Sequence, residues 1–437
     1  MRVAQGTPKG CAIRRPDGIN RPAPAATPPL GPASDPAAKP DYPRGRPWQS
    51  FACHRPTRER PMCRSSTLIL IGLGFTALTA PTLAPATDVE NSQHHRFEIE
   101  RLGQGFSHPW GLAFLPDGDL LVTERPGRLQ RVDAGTGERR RIEGTPDVAA
   151  TGQGGMLDIA LHPDFDTNRY VYLTYSAYGR GGMTTHLGRG VLDGDTLRDF
   201  ELLYAATPYS GGGRHFGSRI VFDDDGYLFM TMGDRGRRER AQQLDNHHGK
   251  LLRLHDDGGI PADNPFVDDE GAEPAIYSYG HRNAQGMTLH PETRVLWLHE
   301  HGPRGGDEIN LPRPGLNFGW PEATFGTEYH GPEIAPDPPV AGMEPPIHHW
   351  TPSIAPSGMA FYYADAFPEW QGDLFVGALA HRHLERLRLD GTDVVEQERL
   401  LQGLGWRIRD VRVGPKGHLY VLPDRSSTPL LRLRPAD

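Results

Sequence analysis

The stretch Leu298–Asn310, LHEHGPRGGDEIN, sets Glu300, His301, Arg304, Asp307 and Glu308 among three glycines and a proline, directly after the apolar run Val295–Leu298. A hydrophobic core has no use for that composition. Glycines at 302, 305 and 306 permit positive φ and so let main-chain carbonyls turn toward one point. Carbonyls with carboxylates nearby suit a hard cation; calcium takes roughly six to eight oxygen ligands, backbone carbonyls among them. No cysteine lies near, which argues against a thiolate zinc site. The same stretch also suits a plain polar loop closing a β-hairpin.

Four further stretches hold polar groups between small residues. GQGGMLDIALHPDF (152–165) places Gln153 ahead of an apolar run, and GGGRHFGSR (211–219) sets His215 among glycines. YGHRNAQGM (279–287) puts Arg282 beside Asn283, and GWRIRDV (405–411) spaces Arg407 and Arg409 two apart. On a strand that spacing points both guanidiniums to one face. Two such groups in a channel call for an anion. Each stretch has a plainer reading, as a surface histidine, a solvated strand face or a turn glutamine. Together they offer a base, a polyanion clamp and a cation loop.

The elements that would position these groups repeat loosely from His108 onward. A turn of Pro, Asp or Gly followed by a short apolar alternation recurs as LPDGDLLVTE, NRYVYLTYS, DDDGYLFMTMGD, ETRVLWLHEHG, QGDLFVGAL and KGHLYVLPD. Period-two alternation between turn signals predicts strands, and several units carry a second strand, such as Arg128 to Val132. Irregular repetition of this kind with almost no helical periodicity predicts an all-β fold, a six-bladed β-propeller of four-stranded antiparallel blades. A pair of β-sandwiches is the alternative, disfavoured by the repeat. Propellers gather polar loops around one mouth of a central channel, which is where function is expected.

Residues 1–61 are crowded with Pro, Arg and Ala and cannot bury enough surface to offset chain entropy. They read as a disordered leader, or as sequence upstream of the true start at Met62. Residues 62–86 have the form of a signal peptide: Arg64, an apolar run from Thr67 to Leu78, and Ala84-Pro85-Ala86. The apolar run is shorter than the roughly 20 residues a bilayer span requires, so a periplasmic or secreted protein without stable membrane insertion is expected. Cys11, Cys53 and Cys63 all precede Ala86, so residues 87–437 have no cysteine for disulfides or metal. Of 47 Lys+Arg and 55 Asp+Glu, 12 and 4 fall in residues 1–86, leaving the remainder a net charge of −16. A nucleic-acid partner is excluded on that balance. No heptad or long apolar edge chooses between monomer and dimer.

HPWGLAFLPDG, GQGGMLDIAL, HFGSR, GKLLRL, YGHRNAQGM, EHGPRGGDEIN, NFGW, SGMAFY and RIRDV occur in this order over residues 108–435. In these motifs the chain resembles the soluble aldose sugar dehydrogenases that use pyrroloquinoline quinone (PQQ), a six-bladed propeller family. The resemblance implies that residues 87–437 form a catalytic domain oxidising an aldose sugar at the anomeric carbon to its lactone. PQQ would be the hydride acceptor, calcium the Lewis acid, and an external electron acceptor the final oxidant. It implies His215 as general base and Arg282 as a catalytic group beside the quinone, with Asn283 next to it. It implies Gln153, Tyr329, Ala378, Leu379, Ala380, Arg407 and Arg409 as cofactor contacts. The carbonyls of Gly302 and Pro303 would hold the catalytic calcium, with Glu308 and the carbonyl of Phe318 at a second, structural calcium. One position departs from the family pattern: Ala380 stands where a lysine usually faces PQQ, a loss that His381 or Arg382 would have to make good. The competing readings are a calcium-dependent propeller lactonase or esterase, in which His215 activates water, and a non-catalytic ligand-binding propeller.

Overall fold

The structure is a computed structural model that describes residues 88–436. The leader and signal-peptide assignments for 1–61 and 62–86 lie outside the described residues. Those residues form six antiparallel sheets, five of four strands and one of five. In chain order the first blade is β1 to β4, counted from Pro109–Phe114 through Leu120–Glu124 and Arg128–Val132 to Arg139–Ile142. The second comprises β5 (Met156–Leu161), β6 (Tyr170–Gly179), β7 (Gly182–Asp193) and β8 (Thr196–Ala205). The third comprises β9 (Ile220–Phe222), β10 (Leu228–Met232), β11 (Lys250–Leu254) and β12 (Ile276–Tyr279). The fourth comprises β13 (Ala284–Leu289), β14 (Leu296–Glu300), β15 (Asp307–Asn310) and β16 (His348–Trp350). The fifth comprises β17 (Pro356–Phe361), β18 (Leu374–Ala378), β19 (His383–Asp390) and β20 (Asp393–Leu400). The sixth is built from β21 (Ile408–Val413), β22 (Leu419–Pro423) and β23 (Thr428–Pro435), completed by the N-terminal strands Arg96–Phe106 and Asp88–Asn91. Phe97 pairs with Pro435 and Leu102 with Leu430, so the two ends of the described chain close the ring in one sheet. Helix is confined to one short turn at Phe165–Asn168 and three 3-10 turns, and no described helix is long and apolar enough to cross a membrane.

The second strand of each unit is where the sequence alternation was clearest, yet β2, β10, β14, β18 and β22 are buried along their whole length. Blades pack face to face, so both sides of a middle strand meet apolar neighbours. Clusters such as Leu121, Leu129, Ile142, Met156, Ile159 and Leu173 fill the wedge between the first two blades. Hydroxyls stitch successive blades: Thr123 Oγ1 donates to Leu157 O at 2.6 Å, Thr174 Oγ1 to Ser218 O at 2.8 Å, and Thr231 Oγ1 to Ala284 O at 3.1 Å.

The first strands of all six blades pack side by side around the axis. In five of them the pairing with the second strand slips at the same point, after the second or third residue. Such bulges re-aim side chains. The register position there holds Gly111, Asp158, Arg219, Gly286, Gly358 and Asp410 around the ring. A Cβ at Gly111 would lie 2.7 Å from Asp158 Oδ1, and one at Gly358 would lie 1.9 Å from Asp410 Oδ1. Glycine on one blade therefore makes room for a charge on the next. Arg219 Nη1 reaches Asp158 Oδ1 at 2.8 Å and Asp410 Oδ1 at 3.2 Å, and Arg412 lies 3.5 Å from each carboxylate. Arg219, Asp158 and Asp410 are fully buried. Two cations and two anions thus plug the channel.

Candidate functional site

Each blade offers two positions at the mouth above that plug. One lies just before the first strand: Gln153, Phe216, Asn283, Ala355 and Arg407. The other lies one residue beyond the second strand: Arg125, His301, Leu379 and Asp424. These nine line a cavity of about 200 Å³ whose other walls include Trp110, Leu157, Gly217, Gln285 and Arg409. The inward curl of the blades brings residues from six separate stretches to one place.

His215 is not among the lining residues, but it directly precedes Phe216 and is bonded to Gln153, which both line the cavity. Its backbone N–H donates to Gln153 Oε1 at 2.7 Å, and its own φ of 57° is a left-handed conformation, uncommon for a side chain of this size. The ring Nδ1 lies 2.7 Å from Asp234 Oδ1. An ionised carboxylate only accepts, so Nδ1 carries the proton and Nε2 is left as a base. Trp320 Nε1 donates to Asp234 Oδ2 at 3.0 Å and Gly236 N to Oδ1 at 2.6 Å, fixing the carboxylate. Burial lowers the His215 pKa below its ordinary value against the opposing pull of Asp234, so the ring is neutral at neutral pH. Burial would raise Asp234, but His215 and Arg282 outweigh it and hold it ionised.

Opposite lies a cluster of guanidiniums. Arg407 Nε and Arg409 Nη2 approach Asp424 Oδ2 at 3.4 and 3.5 Å, and Asp424 Oδ1 is 2.8 Å from His108 Nδ1. Arg409 Nη1 donates to Gln285 Oε1 at 2.9 Å. Burial draws the Arg409 pKa down to about 10, and Arg407, Arg125 and Arg219 add to the fall. Asp424 would be raised by burial, but Arg409, His108 and Arg407 hold it far below the usual carboxylate range. Arg407 and Arg409 thus share one carboxylate, and Arg125, a third guanidinium lining the cavity, forms no ion pair among the described residues. That surplus of two positive charges fits a ligand with several carboxylates.

The loop that opened the sequence reading is a hairpin turn between β14 and β15, with Glu300 opposite Glu308. Only Gly306 of its three glycines has positive φ, 66°, which corrects the expectation for Gly302 and Gly305. Those two are small for want of room: a Cβ at Gly302 would lie 2.0 Å from Gly305 O. Asp307 is committed to the loop itself, accepting from Gly302 N at 2.8 Å, Ser353 Oγ at 2.8 Å and Ala355 N at 2.9 Å. Arg282 Nη1 donates to the carbonyls of His301 and Gly302, 3.0 Å each, while its ring-side face lies over Trp320. The second lone pair of the Gly302 carbonyl stays available. No group of three or more His, Cys, Asp or Glu suited to a metal occurs among the described residues. The donors therefore fit a calcium ion only if anionic oxygens come with the ligand. Deeper in, Glu308 lines a small void with Arg282, Glu300, Gly302 and Trp320. Among the described residues its carboxylate takes a hydrogen bond only from Asn310 Nδ2, at 3.4 Å, and burial, then Glu300, pushes its pKa well above the ordinary value. A cation would relieve that pair. Phe318 stacks on His281 and is not among the residues lining the void.

Of the sequence-predicted contacts, Gln153, Asn283, Leu379, Arg407 and Arg409 line the main cavity. Ala378 does not; it is buried in the core between the fourth and fifth blades. Ala380 is exposed, its N–H donating to Ile354 O, and His381 and Arg382 are exposed too. None of the three lines the cavity, so the expected substitute for the missing lysine is not there. Tyr329 is 58% exposed on a small hairpin bridging Thr327 and Glu333, outside the cavity lining. The sequence reading missed Arg125, Asp234, Trp320 and Asp424. The signal was a polar residue one or two places beyond successive apolar runs: VTE-R, TMG-D, LHE-H and VLP-D.

The glucose/sorbosone dehydrogenase family profile matches residues 106–432. The aldose sugar dehydrogenase YliI of Escherichia coli (strain K12) is 49% identical over 343 residues, covering 77% of this chain and 92% of that protein. The crystal structure of the soluble aldose sugar dehydrogenase from Escherichia coli in the apo-form superposes with a TM-score of 0.76 at 48% identity, over 78% of this chain and all (100%) of that one. The PQQ-bound form of the aldose sugar dehydrogenase from Streptomyces coelicolor superposes with a TM-score of 0.64 at 29% identity, over 77% of this chain and 98% of that one. A match spanning all six blades leaves one assignment: the chain belongs to the glucose/sorbosone dehydrogenase family.

Proposed function

We propose that the chain is a sugar dehydrogenase that oxidises an aldose at its anomeric carbon to the lactone, with PQQ and calcium as cofactors and an external electron acceptor. The observation that carries this reading is a neutral, carboxylate-oriented His215 bonded to Gln153 of a cavity that holds two surplus positive charges. When bound, PQQ supplies the two-electron hydride acceptor and calcium polarises it as a Lewis acid. Everything else is work for the chain. His215 Nε2 takes the proton of the anomeric hydroxyl as hydride departs, and Asp234 stabilises the imidazolium that forms. Trp320 and Gly236 keep Asp234 from following the ring. Arg407 and Arg409 hold ligand carboxylates, Gln153 and Asn283 fix the loop carrying His215, and Arg282 places a guanidinium beside Gly302. Its charge would stabilise negative charge developing on the acceptor. Glu308 would meet a second, structural calcium. The segment 62–86 supports export to the periplasm or beyond.

The test is dye reduction by the purified protein with glucose, with and without PQQ and calcium, alongside His215→Gln. Turnover should need both cofactors and fall about 10²- to 10⁴-fold in the variant, while PQQ absorbance is retained after desalting. Lactone hydrolysis without PQQ would favour the hydrolase reading instead.

A further inference from the structure

Arg125 is the one guanidinium of the cavity that no sequence motif had singled out and that, among the described residues, forms no ion pair with a carboxylate. Its Nε donates to Gly154 O at 3.4 Å and its Nη2 to Gly152 O, both neutral acceptors. The backbone is pinned as firmly: its N–H donates to His108 O and its carbonyl accepts from Met156 N, each at 3.1 Å. Gly155 packs so close that a Cβ there would lie 2.1 Å from Arg125 O. The residue is thus held between the sixth blade's exit loop and the second blade's entry, with its remaining donor, Nη1, making no hydrogen bond among the described residues. It faces the same cavity as Arg407 and Arg409. Burying a cation without a counter-ion is costly. Here burial depresses the Arg125 pKa against the opposing pull of Asp424, Arg407 adds to the fall, and Arg125 in turn depresses the pKa of Arg409. A cluster whose members repel one another in a walled cavity is prepared for an anion.

We propose that Arg125 is a third anion-binding residue of this cavity, which clamps a carboxylate of the bound cofactor jointly with Arg407 and Arg409. The assignment rests on the reading of the cavity as a PQQ site. It places the compensating cation on the first blade instead of at His381 or Arg382 on the fifth. Two of its donors are spent on the Gly152–Gly154 turn, so the clamp also ties cofactor binding to the turn that presents Gln153 to His215.

The experiment is a titration of the PQQ-free protein with PQQ in excess calcium, read by quenching of tryptophan fluorescence, since Trp110 lines the cavity. Wild type is compared with Arg125→Gln, Arg125→Lys and Arg382→Gln, each checked by circular dichroism. Loss of one charge-assisted contact predicts a Kd about 10- to 100-fold higher for Arg125→Gln, and an unchanged Kd for Arg382→Gln. If Arg125→Gln does not fold, Arg125→Lys decides: it keeps the charge but not the planar fork, so its Kd rises several-fold. Wild-type affinity in a folded Arg125→Gln, or in Arg125→Lys where that variant decides, overturns the assignment and leaves the proposed function standing. A wild-type protein that binds no PQQ overturns both.

Discussion

Two arginine clusters share the strand β21 and have opposite designs. Below, Arg219 and Arg412 meet Asp158 and Asp410 in a balanced set in which Arg219 and both carboxylates are fully buried and Arg412 is half-buried. Above, Arg407 and Arg409 share the single carboxylate of Asp424 beside an open cavity that Arg125 also lines without an ion pair among the described residues. Arg409 and Asp410 are consecutive residues, one serving each cluster. Trp110 separates them, with Arg219 4.4 Å and Arg409 5.6 Å from its ring centroid. Gln285 joins them, accepting from Arg219 Nε through its carbonyl and from Arg409 Nη1 through its side chain. A charge set that closes on itself holds the blades in register. One that does not close is waiting for a ligand. The distinction lies in the count of counter-ions within reach, not in burial, since Arg409 is nearly as buried as Arg219.

The largest effect expected from this contrast is on the lower cluster. Asp158→Ala leaves Arg219 buried beside one carboxylate fewer and should cost about 3–5 kcal/mol of stability, measured by denaturant unfolding; a loss below about 1 kcal/mol would mean the plug is not structural. The upper cluster should answer in the opposite way. Arg407→Gln should leave stability within about 0.5 kcal/mol and raise the Kd for PQQ on the order of 10-fold, read by the same unfolding and fluorescence assays. Destabilisation there without loss of affinity would erase the distinction between the clusters. The smallest effect concerns His215 and Asp234, a balanced pair that ligand can still reach. Burial sets the His215 pKa below its ordinary value of 6.5. The base form is therefore present above that lowered pKa and lost as pH falls through it, so kcat should hold level from alkaline pH to about 6.5 and decline only below. Asp234→Asn removes a group that raises this pKa, so the decline should move to still lower pH while kcat drops. An acid limb centred above 6.5 would remove His215 as the base.

Much of the fold could be read from the chain because its cues are local. LPDGDLLVTE or KGHLYVLPD announces a turn and a strand within ten residues, and recurrence of such units implies closure into a ring. The site was half legible for the same reason. Gln153, His215, Asn283, Arg407 and Arg409 stand among glycines in loops that enter an inner strand, a composition that core packing does not produce. Arg125 and Asp424 were not legible, since VTERPG and VLPDRS read as ordinary turns. Ala378 ends its strand buried in the core between two blades, while Leu379, one residue beyond, lines the cavity, a difference the sequence GAL does not show.

The sequence by itself determined the strands, their number of units and the chemical types gathered at the mouth, since these follow from periodicity and turn chemistry over a few residues. Only the tertiary structure decided which charges are matched. Asp158, Arg219 and Asp410 are separated by 61 and 191 residues along the chain, and they meet because three glycines and a repeated bulge on other blades clear the axis for them. Whether a buried arginine is a brace or a ligand clamp depends on how many carboxylates stand within about 4 Å, and that number exists only once the ring has closed.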